Sequence, residues 1–181
     1  MHSPAESVLR IGKSLAVHIV IGVLLYALAV FLLGNFDAAS DTLREQYEET
    51  EVMQQLASTR STLIGWFVIA LIFSWACSAI FLVVANWKRK SVRIASDGRK
   101  ALPVWIILFL ISIAMTTIIW WYQVSLGDVA SMLLEGNYLT LVTAGQVGTA
   151  LAFWLGTGLA VALTLKPSVP LAQTLLPNMW N

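Results

Sequence analysis

Four stretches of the chain, residues 14–34, 62–86, 102–123 and 138–165, contain no Asp, Glu, Lys or Arg. Each reaches or exceeds the roughly 20 apolar residues that a helix needs to cross a hydrocarbon core. In lipid a backbone N–H or C=O has no water to bond. A run of this length must therefore satisfy its polar groups internally, as a helix. The expected fold class is an all-α integral membrane protein: one domain over residues 1–181, built as a bundle of four transmembrane helices. Composition agrees, because 58% of residues are hydrophobic and 12% charged, whereas a soluble domain carries about a quarter charged residues.

Lys and Arg in short flanking segments stay on the cytoplasmic side, which fixes orientation. Of the 11 basic residues, Arg10, Lys13, Lys88, Arg89, Lys90, Arg93, Arg99, Lys100 and Lys166 fall on one side, and only Arg44 and Arg60 on the other. This asymmetry predicts that both termini are cytoplasmic, and the expected location is a bacterial inner membrane. Asp37, Asp41, Glu45, Glu48, Glu49, Glu51, Asp128 and Glu135 then lie outside. Trp87 and Trp105 would belong to the inner aromatic belt, and Trp66, Trp120 and Trp121 to the outer one. Within the basic loop 88–100, Lys88, Arg89, Lys90 and Arg93 are expected to meet anionic lipid headgroups. The first span is too long for a typical signal-peptide core, and Asn35-Phe36-Asp37 is a poor cleavage context, so it is expected to be retained.

Ser3-Pro4-Ala5-Glu6 reads as a capping box with proline at the first helical position, so the first helix should start near Pro4. In the outer segment 36–60, Ser40 or Asp41 can cap a helix starting near Thr42, giving a helical extension between the first and second spans. The cluster Asp41, Glu45, Glu48, Glu49 and Glu51 has two readings, a solvated helix face or a surface for an outer partner. Residues 128–136 suit a short outer helix between Asp128 and Gly136. Pro167 and Pro170 should stop the fourth helix, leaving 166–181 as a cytoplasmic interfacial tail anchored by Trp180.

In the fourth span Ala144, Gly148, Ala152, Gly156, Ala160 and Thr164 recur every four residues. They form a small-xxx-small ridge where another backbone can approach closely, in the same chain or in a neighbouring copy. Ser14, His18, Gly22 and Tyr26 repeat the spacing in the first span. Ser74 and Ser78 in the second span and Ser112 and Thr116 in the third supply modestly polar faces.

His2 and His18 are the only histidines and Cys77 the only cysteine. One chain therefore lacks the ligands for a disulfide framework, a CxxC centre, bis-histidine haem or a multi-ligand metal site. No carboxylate or second histidine accompanies the membrane serines, and Cys77 has no basic neighbour to activate it. The expectation is a protein without enzymatic activity, cofactor or bound metal. His18 reads either as a neutral packing residue or, because it is ionisable and inside a span, as a gate. Three functions remain open. The first is a scaffold or interaction subunit of a homo- or hetero-oligomeric membrane assembly, associating with itself or with other subunits. The second is a homo-oligomeric channel or permeabilising protein lined by Ser74, Ser78 and Thr116, with His18 at its mouth. The third is a sensor or immunity-type protein that binds a partner through the acidic segment. No nucleic-acid partner is expected.

Overall fold

The computed structural model describes residues 4–89, 99–125 and 137–176, with side chains over 6–87, 99–119 and 137–176. The described chain is all-helical. Helix α1 covers Pro4–Leu32, α2 Asp41–Gln46, α3 Glu49–Arg89, α4 Leu102–Ser125, α5 Asn137–Ala160 and α6 Ala172–Leu175. Four of these, α1, α3, α4 and α5, are long and apolar enough to cross a membrane. At 1.5 Å per residue the 41-residue α3 is about 61 Å long, twice the roughly 30 Å of a hydrocarbon core. Its first three turns therefore extend well beyond one.

Helices α1, α3 and α5 touch one another in all three pairings, and α4 rests on α3 and α5. Two apolar clusters fill the interior. One gathers Leu25, Ala29, Leu33, Leu63, Phe67, Leu71 and Leu141 with the underside of the α2 region. The other gathers Cys77, Phe81, Ala85, Trp105, Phe153 and the segment after α5. Along α3 the first cluster ends at Leu71 and the second begins at Cys77, with the fully buried Ser74 between them. The outer surface is itself apolar: Val20, Val23, Leu24, Ile72, Ile107, Leu110, Ile118, Leu151 and the 78% exposed Phe31 all point away from the interior. A soluble monomer rarely exposes a contiguous apolar patch above a few hundred Å². A surface of this kind fits an integral membrane protein.

Several expectations are corrected. The fourth long helix ends at Ala160, not near residue 165. Ala162 is extended, and a 3-10 turn follows over Leu163–Ser168. The chain from there to Leu176 folds back against α5 as a hook. Leu165, Val169, Ala172 and Leu176 are buried against Ala160 and Val161, and the hook reverses at Leu171, the one non-glycine residue with positive φ among those described (φ 60°). Pro167 opposes continuation of the α-helix through this region, but burial of the hook's apolar side chains explains the earlier stop. Thr164 is thereby taken off the ridge and exposed. Lys166, counted among the basic residues of the cytoplasmic side, is only 6% exposed and donates to the Leu176 carbonyl oxygen at 2.6 Å, tying the hook's two ends.

Trp105 is a core residue, not part of a belt. It is 4% exposed, stacks on Phe109 with centroids 4.8 Å apart, and donates from Nε1 to Thr157 Oγ1 at 2.9 Å. An indole can be buried whole once its N–H finds an acceptor. α3 extends the second span outward as far as Glu49, but the expected start near Thr42 belongs to a separate helix, α2. Ser40 caps α2 by accepting from the Leu43 N–H at 3.4 Å, and an extended Tyr47 separates α2 from α3. The residues Ser3, Lys90, Arg93, Trp180 and the expected helix 128–136 lie outside the described residues, as do the side chains of Lys88, Arg89, Trp120 and Trp121.

Candidate functional site

His18, about one turn into the first span, is 3% exposed and sits where α1, α3 and α5 converge. Its Nδ1 lies 2.8 Å from the Ser14 carbonyl oxygen, which can only accept, so Nδ1 carries the proton in this contact. A neutral ring then accepts at Nε2 from the Ser74 hydroxyl, 3.2 Å away on α3. Ser74 Oγ is also 3.4 Å from the Thr149 carbonyl oxygen of α5. With a single proton, that hydroxyl donates either to Nε2 or to the Thr149 carbonyl at a time, so it bonds α3 to α1 or to α5 at the level between the two apolar clusters. Thr149 Oγ1 turns back to the Gly145 carbonyl oxygen of its own helix.

The α5 ridge faces the same place. A Cβ at Gly156 would lie 2.8 Å from Ser14 Oγ and 3.0 Å from His18 Cε1, and one at Gly148 would lie 3.1 Å from Leu25 Cδ1. Gly148, Ala152, Gly156 and Ala160 are buried, and Ala144 is half-buried. The groove at Gly148 and Gly156 is filled by α1 of the same chain, which leaves these glycines covered and not presented to a neighbouring copy. On α1 the buried face runs Ser14, His18, Leu25, Ala29, while Tyr26 is exposed. A strict four-residue spacing drifts by about 40° per step on a 3.6-residue helix, so the face passes from Gly22 to Leu25 instead.

The residues expected to line a pore are placed as follows. His18 and Ser74 are bonded to each other. Ser78 is fully buried. Thr116 is buried on α4 and donates to the Ser112 carbonyl oxygen one turn earlier.

The expected partner surface is arranged differently. Asp41, Glu45, Glu48, Glu49 and Glu51 are all exposed. Beneath them Leu43, Val52 and Leu56 are buried in the first apolar cluster, so the acidic face is mounted on a packed underside. Arg44 closes the preceding turn: its guanidinium donates to the carbonyl oxygens of Ala39 (2.9 Å) and Asp37 (3.2 Å) and lies 5.6 Å from the Phe36 ring centroid. Its contact with Asp41 is long, at 3.7 Å, and Asp41 is almost fully solvated, so that pair contributes little.

Other anchoring residues carried no sequence signal of their own. Arg10 donates to the Ala160 carbonyl oxygen at 2.8 Å, placing a cation on the last carbonyls of α5. Asn137 donates to the Leu32 carbonyl oxygen at 3.0 Å. Gly158, which is off the four-residue register, seats Leu176 and Ala172 of the hook. Among the described residues no group of three His, Cys, Asp or Glu side chains is placed to hold a metal. Comparison with protein-family models, curated proteins and solved structures finds no match for this chain.

Proposed function

We propose that the protein is a non-enzymatic integral subunit of a membrane assembly: a four-helix bundle of the bacterial inner membrane with both termini in the cytoplasm, docking a partner through its outer acidic face. The observation that carries this reading is the exposed series Asp41, Glu45, Glu48, Glu49 and Glu51 held above buried Leu43, Val52 and Leu56. A merely solvating segment has no need of a packed underside, because charge alone keeps it in water. A surface fixed to the bundle instead presents its charges in a constant arrangement, which favours complementarity with a basic partner and speeds encounter. The nine-to-two division of basic residues supports the orientation.

Mild crosslinking in native membranes, followed by affinity purification and mass spectrometry, tests this. Wild type should recover partner subunits in stoichiometric amount. A variant carrying Glu45→Gln, Glu48→Gln, Glu49→Gln and Glu51→Gln should recover far less while keeping its thermal stability. Equal recovery by both would remove the acidic face from the reading. Recovery of wild type with only copies of itself would redirect the proposal to a homo-oligomer, whose conductance in planar bilayers is then the next measurement.

A further inference from the structure

A second feature lies on the flank of the α1–α5 contact, away from the acidic face. There the two helices leave an apolar groove of about 310 Å³. Ala16, Val20 and Leu24 of α1 and Leu155 and Leu159 of α5 line it, and Lys13 stands at one end. Ala16 opens the groove by its small size, while Val20 and Leu24 are about 60% exposed along it. From Lys13 to Leu24 is 11 residues, or about 16 Å of helix. One leaflet of a hydrocarbon core is about 15 Å, half of roughly 30 Å.

We propose that this groove binds one anionic phospholipid, with an acyl chain along Ala16, Val20 and Leu24 and its phosphate against Lys13. Three properties together select this occupant. The lining is apolar over the length of a single leaflet. The cation stands only at the end nearest the N-terminus of α1, where Glu6 and Arg10 also lie and where a headgroup layer belongs. An ammonium is a compact charge with three donors, so it can serve a phosphate without giving up a contact it already makes. A partner's transmembrane helix would need an acidic group at the level of Lys13 and would be wider than a groove shaped by one alanine. The inference does not depend on the identity of any partner at the acidic face.

Native mass spectrometry of the detergent-purified protein tests it, with added phosphatidylglycerol or phosphatidylcholine of identical chains. Wild type should retain one phosphatidylglycerol in preference to phosphatidylcholine by about fivefold, the worth of one lysine near a charged membrane surface. Lys13→Gln should erase the preference while still retaining one lipid of either kind. Ala16→Phe fills the groove and should lose both; Val20→Phe, at a more exposed position, is the second variant should the first fail to fold. Glycerol phosphate without chains should not compete. Equal retention of the two lipids by wild type would overturn the proposal. So would a preference that survives Lys13→Gln, since the selectivity would then belong to other basic residues. A photo-crosslinker at Val20 that captures a polypeptide and not lipid would overturn it as well.

Discussion

Gly156 is the residue on which the α1–α5 contact closes. A side chain there would press on His18, whose two nitrogens are both engaged. Gly156→Leu should therefore cost about 1–3 kcal/mol or more through overpacking, read as a lower unfolding temperature in detergent. Gly65 makes the contrast. It lies on an exposed face of α3, where an added Cβ meets nothing within 4 Å. Gly65→Ala should stabilise by about 0.5–1 kcal/mol, because alanine loses less backbone entropy in a helix. If both substitutions shift stability equally, close approach at Gly156 is not what holds the pair. At the histidine, Ser74→Ala removes one interhelical hydrogen bond and should cost about 0.6 kcal/mol. His18→Ala also leaves the Ser74 hydroxyl and a void, and should cost about 1–3 kcal/mol. Denaturant unfolding in micelles orders the two, and the reverse order would contradict His18 as the linking group.

At the level of elements, α1 and α5 cap one another across the whole chain. Arg10 reaches the last carbonyl of α5 and Asn137, the first residue of α5, reaches the last carbonyl of α1. Helix-terminal carbonyls lack intrahelical partners and need outside donors, more so where water is scarce. Arg10 also pairs with Glu6 at 2.8 Å, one turn back on α1. Arg10→Gln should cost about 1.5–3 kcal/mol as a hydrogen bond from a charged donor is lost. Its local signature should be faster amide hydrogen exchange over residues 161–176, because the hook begins at the carbonyl that Arg10 holds. Exchange that rises evenly over all helices would instead mean that Arg10 serves global stability alone. The existence and type of the four long helices were legible from length and charge-free composition. Where α5 stops was not, because Val161 to Leu165 is as apolar as the helix before it. The stop is set by contacts of Leu165, Val169, Ala172 and Leu176, which no local pattern announces.

For the molecule as a whole, two apolar clusters joined through His18, Ser74 and Thr149 make α1, α3 and α5 one interior, with α4 laid against α3 and α5. The first three turns of α3 carry this interior out to the acidic face. Shortening that projection by deleting residues 57–60, about one turn of helix that holds none of the glutamates, should weaken partner recovery as strongly as neutralising the glutamates. Retained recovery would detach the proposed docking role from the placement of the acidic face on the bundle. The ridge in α5 was visible in the sequence as a spacing of small residues, and its burial follows that spacing from Gly148 to Ala160. The spacing did not say who fills it, because a small residue records room for a backbone and not the identity of the neighbour. Thr164, in register but beyond the helix, shows the same limit.

The sequence by itself determined that this chain forms four helices long and apolar enough to cross a membrane. Four charge-free runs longer than a bilayer core demand helices, and a lopsided distribution of Lys and Arg favours one orientation, since both follow from local transfer energies. Only the tertiary structure decided that α1 fills the α5 groove, that Trp105 and Lys166 are interior residues, and that the last described segment folds back under Gly158. Those outcomes depend on pairs separated by as many as 150 residues. Their energies come from complementary shape and from matched donors and acceptors, neither of which exists until the chain brings both partners together.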